Sequence, residues 1–362
     1  MTPRDSFLDF ITAAHLYTVA AIFASVTVVM VLMIYIYLYR KKQRYFVKKR
    51  ISEILDEWIS EALLQETEME HTHVTPELLD YFTEERNRQY ATDQLISVKK
   101  NITGMAARNI VRLYEQLELQ NDSKKKFYDN AWHIKAKGIF ELYMMNQRDM
   151  QEEIAAYTND KDAFVRTEAQ TATMAFAGFG GLKFLNTLTY PFSSWEQVKI
   201  LEQLQPLDPE DMPDLPLWLQ SGNDYVVMFA LKLAEIYYQL HAHEYILPCL
   251  SHNNERVRRQ AIITIARIAN EYTAALLVSR YAGETDANKR VILQQLMRIG
   301  GNEQLTFLQQ ELKNVDDLLK LEAARALAKC CDDGMAELQA LATAQPLPYA
   351  AIYHHVKSEQ GL

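Results

Sequence analysis

An all-α fold, with an N-terminal transmembrane helix followed by an α-solenoid of helix pairs, is predicted by three observations. The stretch from Phe10 to Tyr39 contains no Lys, Arg, Asp or Glu. Neither proline nor glycine interrupts the chain between Pro3 and Pro76. Beyond Phe127 the sequence repeats itself at intervals near 30 residues, a length that accommodates two helices per unit. The expected organisation is an extracytoplasmic terminus at 1–12, a transmembrane helix at 13–39, a basic collar and helical connector at 40–125, and the solenoid at 126–362.

A helix rises about 1.5 Å per residue and a bilayer core is about 30 Å thick, so the apolar run is long enough to span with tilt. Tyr17 at one end and Tyr35, Tyr37 and Tyr39 at the other suit interfacial aromatic belts. Arg40, Lys41, Lys42, Arg44, Lys48, Lys49 and Arg50 follow at once with no anion among them. Positive-inside asymmetry places this side in the cytoplasm, which makes a single-pass protein of the cell membrane, with a bacterial inner membrane the expected setting. A cleaved signal peptide would need its basic region before the apolar run, a core of about 7 to 15 residues and a small-residue cleavage site. The same collar is expected to attract anionic lipid headgroups. Ala20 with Ala24, and Ala21 with Ser25, form overlapping small-residue spacings that permit a contact with another membrane helix.

Past the collar the composition turns acidic. The full chain has 38 Lys and Arg against 47 Asp and Glu; removing residues 1–50, which hold eight and two of these, leaves 30 against 45 and a net charge of −15. That excess opposes general binding of nucleic acid, which needs a basic surface. Cys249, Cys330 and Cys331 are too few and too badly spaced for a disulfide framework, which agrees with a reducing compartment.

Ile51, Ile54, Leu55, Trp58, Ile59, Ala62 and Leu63 recur at helical spacing, so an amphipathic helix follows the collar. It either continues the membrane helix as one rod or follows a short unwound joint. Glu66 to His73 reads as a connection, and Thr75 with Pro76 as the cap and first turn of another helix. Periodicity returns from Leu95 to Leu119, and Asn121 to Lys126 reads as a charged connector.

The repeat is clearest in NDKDAFVRTEAQTATMAF from Asn159 and HNNERVRRQAIITIARIA from His252. Val165, Arg166 and Ala169 match Val257, Arg258 and Ala261. Leu319, Lys320 and Ala323 form a degenerate copy, and weaker ones begin at Val226 and Lys289. The anchors at 165, 226, 257, 289 and 319 lie 61, 31, 32 and 30 residues apart, and SSWEQVKILEQL around Trp195 fills the double interval. An apolar and a small residue four apart share a helix face, so the alanine admits a neighbouring helix while the cation reaches acidic residues of the next unit. These arginines read as structural struts.

The pattern resembles the HEAT-repeat superfamily, in its short variety with an Asp/Asn-rich lead-in and a Val-Arg-x-x-Ala core, over about Phe127 to Leu341. The resemblance implies a solenoid whose inner helices hold another macromolecule.

Candidates for chemistry read as structure. Gly178, Gly180 and Gly181 follow no strand and fit no phosphate-binding spacing, so they read as a helix-ending turn. The pairs His71/His73, His241/His243 and His354/His355 lack the i, i+3 or i, i+4 spacing of helical metal ligands, and no metal is expected. Cys249 reads as a core residue; Asp208, Glu210, Asp211 and Asp214 read as a solvated loop. Lys124, Lys125 and Lys126 with Arg256, Arg258 and Arg259 read as solvated helix entries, the alternative being basic spots with a phosphate or anionic-lipid contact at the lysine run. No catalytic set and no cofactor is predicted. The expected function is that of a membrane-tethered cytoplasmic scaffold or adaptor for a protein partner, such as a surface-polysaccharide glycosyltransferase or a secretion complex. The alternatives are a bilin-lyase-like enzyme or chaperone, and a signalling input module.

Overall fold

The computed structural model describes residues 13–64, 80–204 and 212–359, with the side chains of residues 13 and 14 not described. The expected terminus at 1–12, the connection at Glu66–His73, the cap at Thr75–Pro76 and the acidic residues Asp208, Glu210 and Asp211 lie outside the described residues. Every regular element described is a helix. The chain divides after Gln147 into two compact units.

The first unit opens with α1, Ala13–Leu64, which settles the choice between rod and joint: one helix runs through the collar without a break. Its 52 residues extend about 78 Å at 1.5 Å per residue. Among the described residues, the helices that follow include α2, Glu85–Lys99; α3, Gly104–Gln116; α4, Leu119–Phe127; and α5, Trp132–Met144. Ile51, Leu55, Trp58, Ile59 and Ala62 of α1 are buried in one core with Leu95, Ile110, Leu113 and Tyr114, whereas Leu63 at the stripe's edge stays exposed. The periodic stretch 95–119 is two helices, broken near Gly104, whose φ of +72° suits glycine. Asn121 to Lys126 is helical, a correction to its reading as a connector. Leu119, Ser123 and Phe127 recur every four residues and are buried, and that seam outweighs the local charge. Gly138 lets α5 cross α4 closely, since a Cβ there would lie 2.4 Å from the backbone nitrogen of Phe127.

A polar network crosses this unit. Fully buried Glu141 on α5 accepts hydrogen bonds from Ser123 Oγ at 2.6 Å, Lys126 Nζ at 2.7 Å and Gln89 Nε2 at 2.8 Å. Tyr114 in turn donates to Ser123 at 2.8 Å. Four helices thus share one carboxylate whose charge is met by a lysine.

The second unit begins at Arg148 and is a succession of helix pairs. A short α6, Gln151–Ala155, leads to α7, Ala163–Ala177, and α8, Ser194–Leu204. Next come α9, Leu215–Leu219; α10, Asp224–Ile236; α11, His243–Ile246; and α12, Glu255–Arg267. The array continues with α13, Thr273–Tyr281; α14, Asp286–Ile299; and α15, Leu305–Glu311. It closes with α16, Asp317–Cys330; α17, Gly334–Ala344; and α18, Pro346–Glu359. The sequence expectation began the solenoid at 126, but α4 and α5 pack with α2 and each other in the first unit.

The long helices α7, α8, α10, α12, α14 and α16 follow Asp162, Ser193, Asn223, Asn254, Thr285 and Asp316, spaced 31, 30, 31, 31 and 31 residues apart. In each case the side-chain oxygen of that residue accepts from a backbone N–H of the first turn. Such a cap contributes about 1 kcal/mol per helix. Three residues past each cap stand Val165, Glu196, Val226, Val257, Asn288 and Leu319, and seven past stand Ala169, Ile200, Ala230, Ala261, Ile292 and Ala323; all twelve are buried. The fifth anchor is therefore Asn288, one residue before the expected Lys289. A polar residue occupies an apolar register there, which hid the frame.

Candidate functional site

From Leu16 to Tyr39 the apolar side chains of α1 are exposed, and this is the only described helix long and apolar enough to cross a bilayer. Two hydroxyls bond back to the helix itself: Ser25 Oγ donates to the Ala21 carbonyl and Thr27 Oγ1 to that of Phe23, each at 2.8 Å. Ala20, Ala21, Ala24 and Ser25 are likewise exposed, on an unpacked face. In the collar, Lys49 and Arg50 approach Glu53 at 3.9 and 3.8 Å, and Lys42 lies over Phe46. Lys48 Nζ sits 5.2 Å from the ring centroid of Tyr90 on α2, tying the collar to the first unit. Arg40, Lys41 and Arg44 extend from one stretch of the same exposed helix.

In the second unit Arg166 is buried. Its Nη1 donates to the Asp160 carbonyl at 2.9 Å, its Nη2 lies 3.6 Å from Glu196 on the next long helix, and its guanidinium covers the ring of Tyr190. Arg258 repeats the arrangement, donating to the His252 carbonyl at 2.9 Å and to Glu284, ahead of the next helix, at 2.9 and 3.1 Å. Val165, Ala169, Val257 and Ala261 form the apolar seams beside these arginines. Glu196 and Asn288, which the sequence reading missed, link units too. Glu196 accepts from Thr167 at 3.1 Å, and Asn288 accepts from Arg259 at 3.1 Å. Further bonds join residues about one repeat apart: Asn254 donates to Asp224 at 2.6 Å, Thr285 to Glu255 at 3.1 Å and Tyr281 to Glu311 at 2.7 Å. The signal that would have found them is a polar residue recurring at the repeat interval.

Two residues past the caps, the long helices present Phe164, Trp195 and Tyr225, which are 64%, 62% and 39% exposed. These three rings thus occupy the same register position on three successive long helices. Val198 is exposed beside Trp195, and Lys199 lies over the Trp195 ring while pairing with Glu168 at 3.0 Å. The next rungs carry Arg256, Ala287 and Leu318, so the aromatic stretch covers three successive units.

The remaining candidates fall into structural roles. Gly178 ends α7 with a φ of +56°, and a Cβ on Gly181 would lie 2.7 Å from the Thr173 carbonyl oxygen, so this run folds back against its own helix. The basic residues take separate roles. Lys126 is held by Glu141, Lys125 faces Glu85 at 3.8 Å and Arg258 is a strut. His243 contacts Thr273 and His355 contacts Glu359, and His71 and His73 lie outside the described residues. Asp214 heads α9 with its carbonyl. No group of three or more His, Cys, Asp or Glu among the described residues is arranged to hold a metal ion. Burial pushes the Cys249 thiol up to about 11 and Cys330 up to about 12, the latter also raised by Cys331, so both are protonated near neutral pH.

Regular caps, buried seams and bonds at the repeat interval define an all-α helical-repeat protein. A family model described as HEAT repeats matches residues 243–328, from α11 to within α16. Among solved structures, the chain is similar to the crystal structure of an engineered protein, at 16% identity over 76% of this chain and 86% of that one, with a TM-score of 0.39. No curated protein matches significantly.

Proposed function

We propose that the chain is a membrane-tethered helical-repeat scaffold that holds a protein partner at the cytoplasmic face of the membrane. The exposure of Phe164, Trp195 and Tyr225 at one register position carries this reading. Large aromatic side chains left in water on three consecutive repeats are characteristic of protein contact surfaces. The exposed apolar half of α1 supports anchoring, with the collar on the cytoplasmic side against anionic lipid. Confinement near the membrane raises the effective concentration of the array toward other membrane-bound proteins, so a modest contact suffices. A membrane enzyme such as a surface-polysaccharide glycosyltransferase, or a transport complex, fits that geometry.

Crosslinking in native membranes tests the reading. The intact chain is compared with a Phe164→Ser/Trp195→Ser/Tyr225→Ser variant and with a chain whose residues 1–39 are replaced by a foreign membrane helix. Loss of one specific partner in the triple variant alone supports recognition by the array. Equal capture by all three chains would remove the aromatic residues from the proposal, and loss only with the foreign helix would move recognition to Ala20, Ala21, Ala24 and Ser25.

A signalling role is favoured by a separate observation: α1 is unbroken and its second half is core to the first unit. Rotation of the membrane half would then turn a wall of that core.

A further inference from the structure

The collar faces a cleft of about 360 Å³, whose walls are Gln43, Arg44, Val47 and Lys48 of α1 and the segment from Asp80 to Asn87 that leads into α2. We propose that this cleft binds the phosphate of an anionic phospholipid headgroup through Arg44, Lys48 and Arg86. The inference rests on the reading of α1 as a membrane helix and deepens it from a diffuse basic collar to a defined site.

Three observations carry it. First, the cations converge from two elements. Arg86 belongs to α2, not to the collar, and neither it nor Arg44 has an ion-pair partner among the described residues. Asp80 and Glu84 also line the cleft, so three cations face two carboxylates and the local balance is positive in an otherwise acidic chain. Second, the far wall is built rather than loose. Asn87 Nδ2 donates to the Tyr81 carbonyl at 2.8 Å, Arg88 Nη1 to the Phe82 carbonyl at 2.6 Å, and Thr83 Oγ1 to the Asp80 carbonyl at 2.7 Å. Phe82 is buried in the core of the unit, and Lys48 is steadied over the ring of Tyr90. Third, the depth is right. Arg44 lies five residues past Tyr39, about 7 Å along the helix, within a headgroup layer about 5–8 Å thick. Lys48 lies one turn further in and meets a phosphate from beneath.

The test uses the full chain in lipid nanodiscs and on floated vesicles. The probe is a phosphatidylglycerol analogue with a photoactivatable headgroup, compared with the same analogue of phosphatidylcholine. The expected result is labelling of both walls, 43–48 and 80–87, by the anionic probe only. Arg86→Gln is expected to lower labelling of both walls about fivefold while leaving labelling at 40–42 intact. A chain that floats yet is labelled only at 40–42, or equally by the neutral probe, overturns the inference and leaves the anchor standing. A chain that does not float overturns the anchor and the inference together. Protection of 80–87 from hydrogen exchange by inorganic phosphate alone, with lipid adding nothing, would reassign the cleft to a soluble anion.

Discussion

Replacing Glu141 by Leu while keeping Lys126 removes the carboxylate on which Ser123, Lys126 and Gln89 converge at 2.6–3.0 Å. Lys126, only 13% exposed, is then a charge without its partner. Breaking a buried pair from one side costs about 3–5 kcal/mol. Hydrogen exchange in α2 to α5, read by mass spectrometry on the full chain, should therefore accelerate by about 150- to 5,000-fold where exchange requires opening of the unit. Adding Lys126→Met removes the stranded charge. Gln89 keeps its bond to Asp93, and the remaining loss is the acceptor of the Ser123 hydroxyl, about 1–3 kcal/mol. From the centres of these ranges, about 2 kcal/mol apart, the double variant should exchange about 30-fold more slowly than the single one. An acceleration below tenfold in Glu141→Leu, or a double variant opening as fast as the single, would refute the argument that this pair is held by mutual desolvation.

The remaining predictions follow from packing and protonation. One alanine inserted after Tyr45 turns the membrane half of α1 by about 100° while preserving the buried stripe, so the stability of the first unit should not change. Inserted after Leu55, it drives Trp58, Ile59 and Ala62 off the core and should cost at least about 3 kcal/mol by denaturant titration. Gly138→Ala places a methyl group against the Phe127 backbone and should destabilise by about 1–3 kcal/mol, visible in the denaturant midpoint. Burial raises the Cys249 and Cys330 thiols to about 11 and about 12, so the fold favours the neutral thiol. This stabilisation is complete below the unfolded thiol pKa of about 8.5 and is lost as pH rises through 11 to 12. Iodoacetamide at pH 8 should spare both cysteines in the folded chain and label both after denaturation; equal rates in the two states would contradict the burial argument.

Much of the architecture was legible because it is written in local chemistry. The uncharged run from Phe10 to Tyr39, the stripe from Ile51 to Ala62 and the Asp, Ser, Asn or Thr ahead of each long helix are features of single segments. The copies at Val165 and Val257 also disclosed the arginine register, since the same alternation of apolar, cationic and small residues serves the same seam. What sequence left open depends on partners remote in the chain. Asn121 to Lys126 looked like a charged loop because nothing local shows that Ser123 and Lys126 turn inward to a carboxylate on α5. Glu196 and Asn288 broke the apolar frame because their polarity is compensated by Arg166 and Arg259, on the preceding long helices.

By itself, then, the sequence determined that the chain is helical, where its apolar span lies, which flank is basic, and the interval at which its solenoid repeats, because periodicity and capping act within a few residues. Tertiary structure decided that α1 passes unbroken into the core of the first unit and that α4 and α5 pack there. It also decided that Phe164, Trp195 and Tyr225 stay exposed and that Arg86 lines one cleft with Arg44. Those outcomes depend on which side chains residues far apart in sequence place against one another, and packing and compensation of buried charge are settled only when the helices meet.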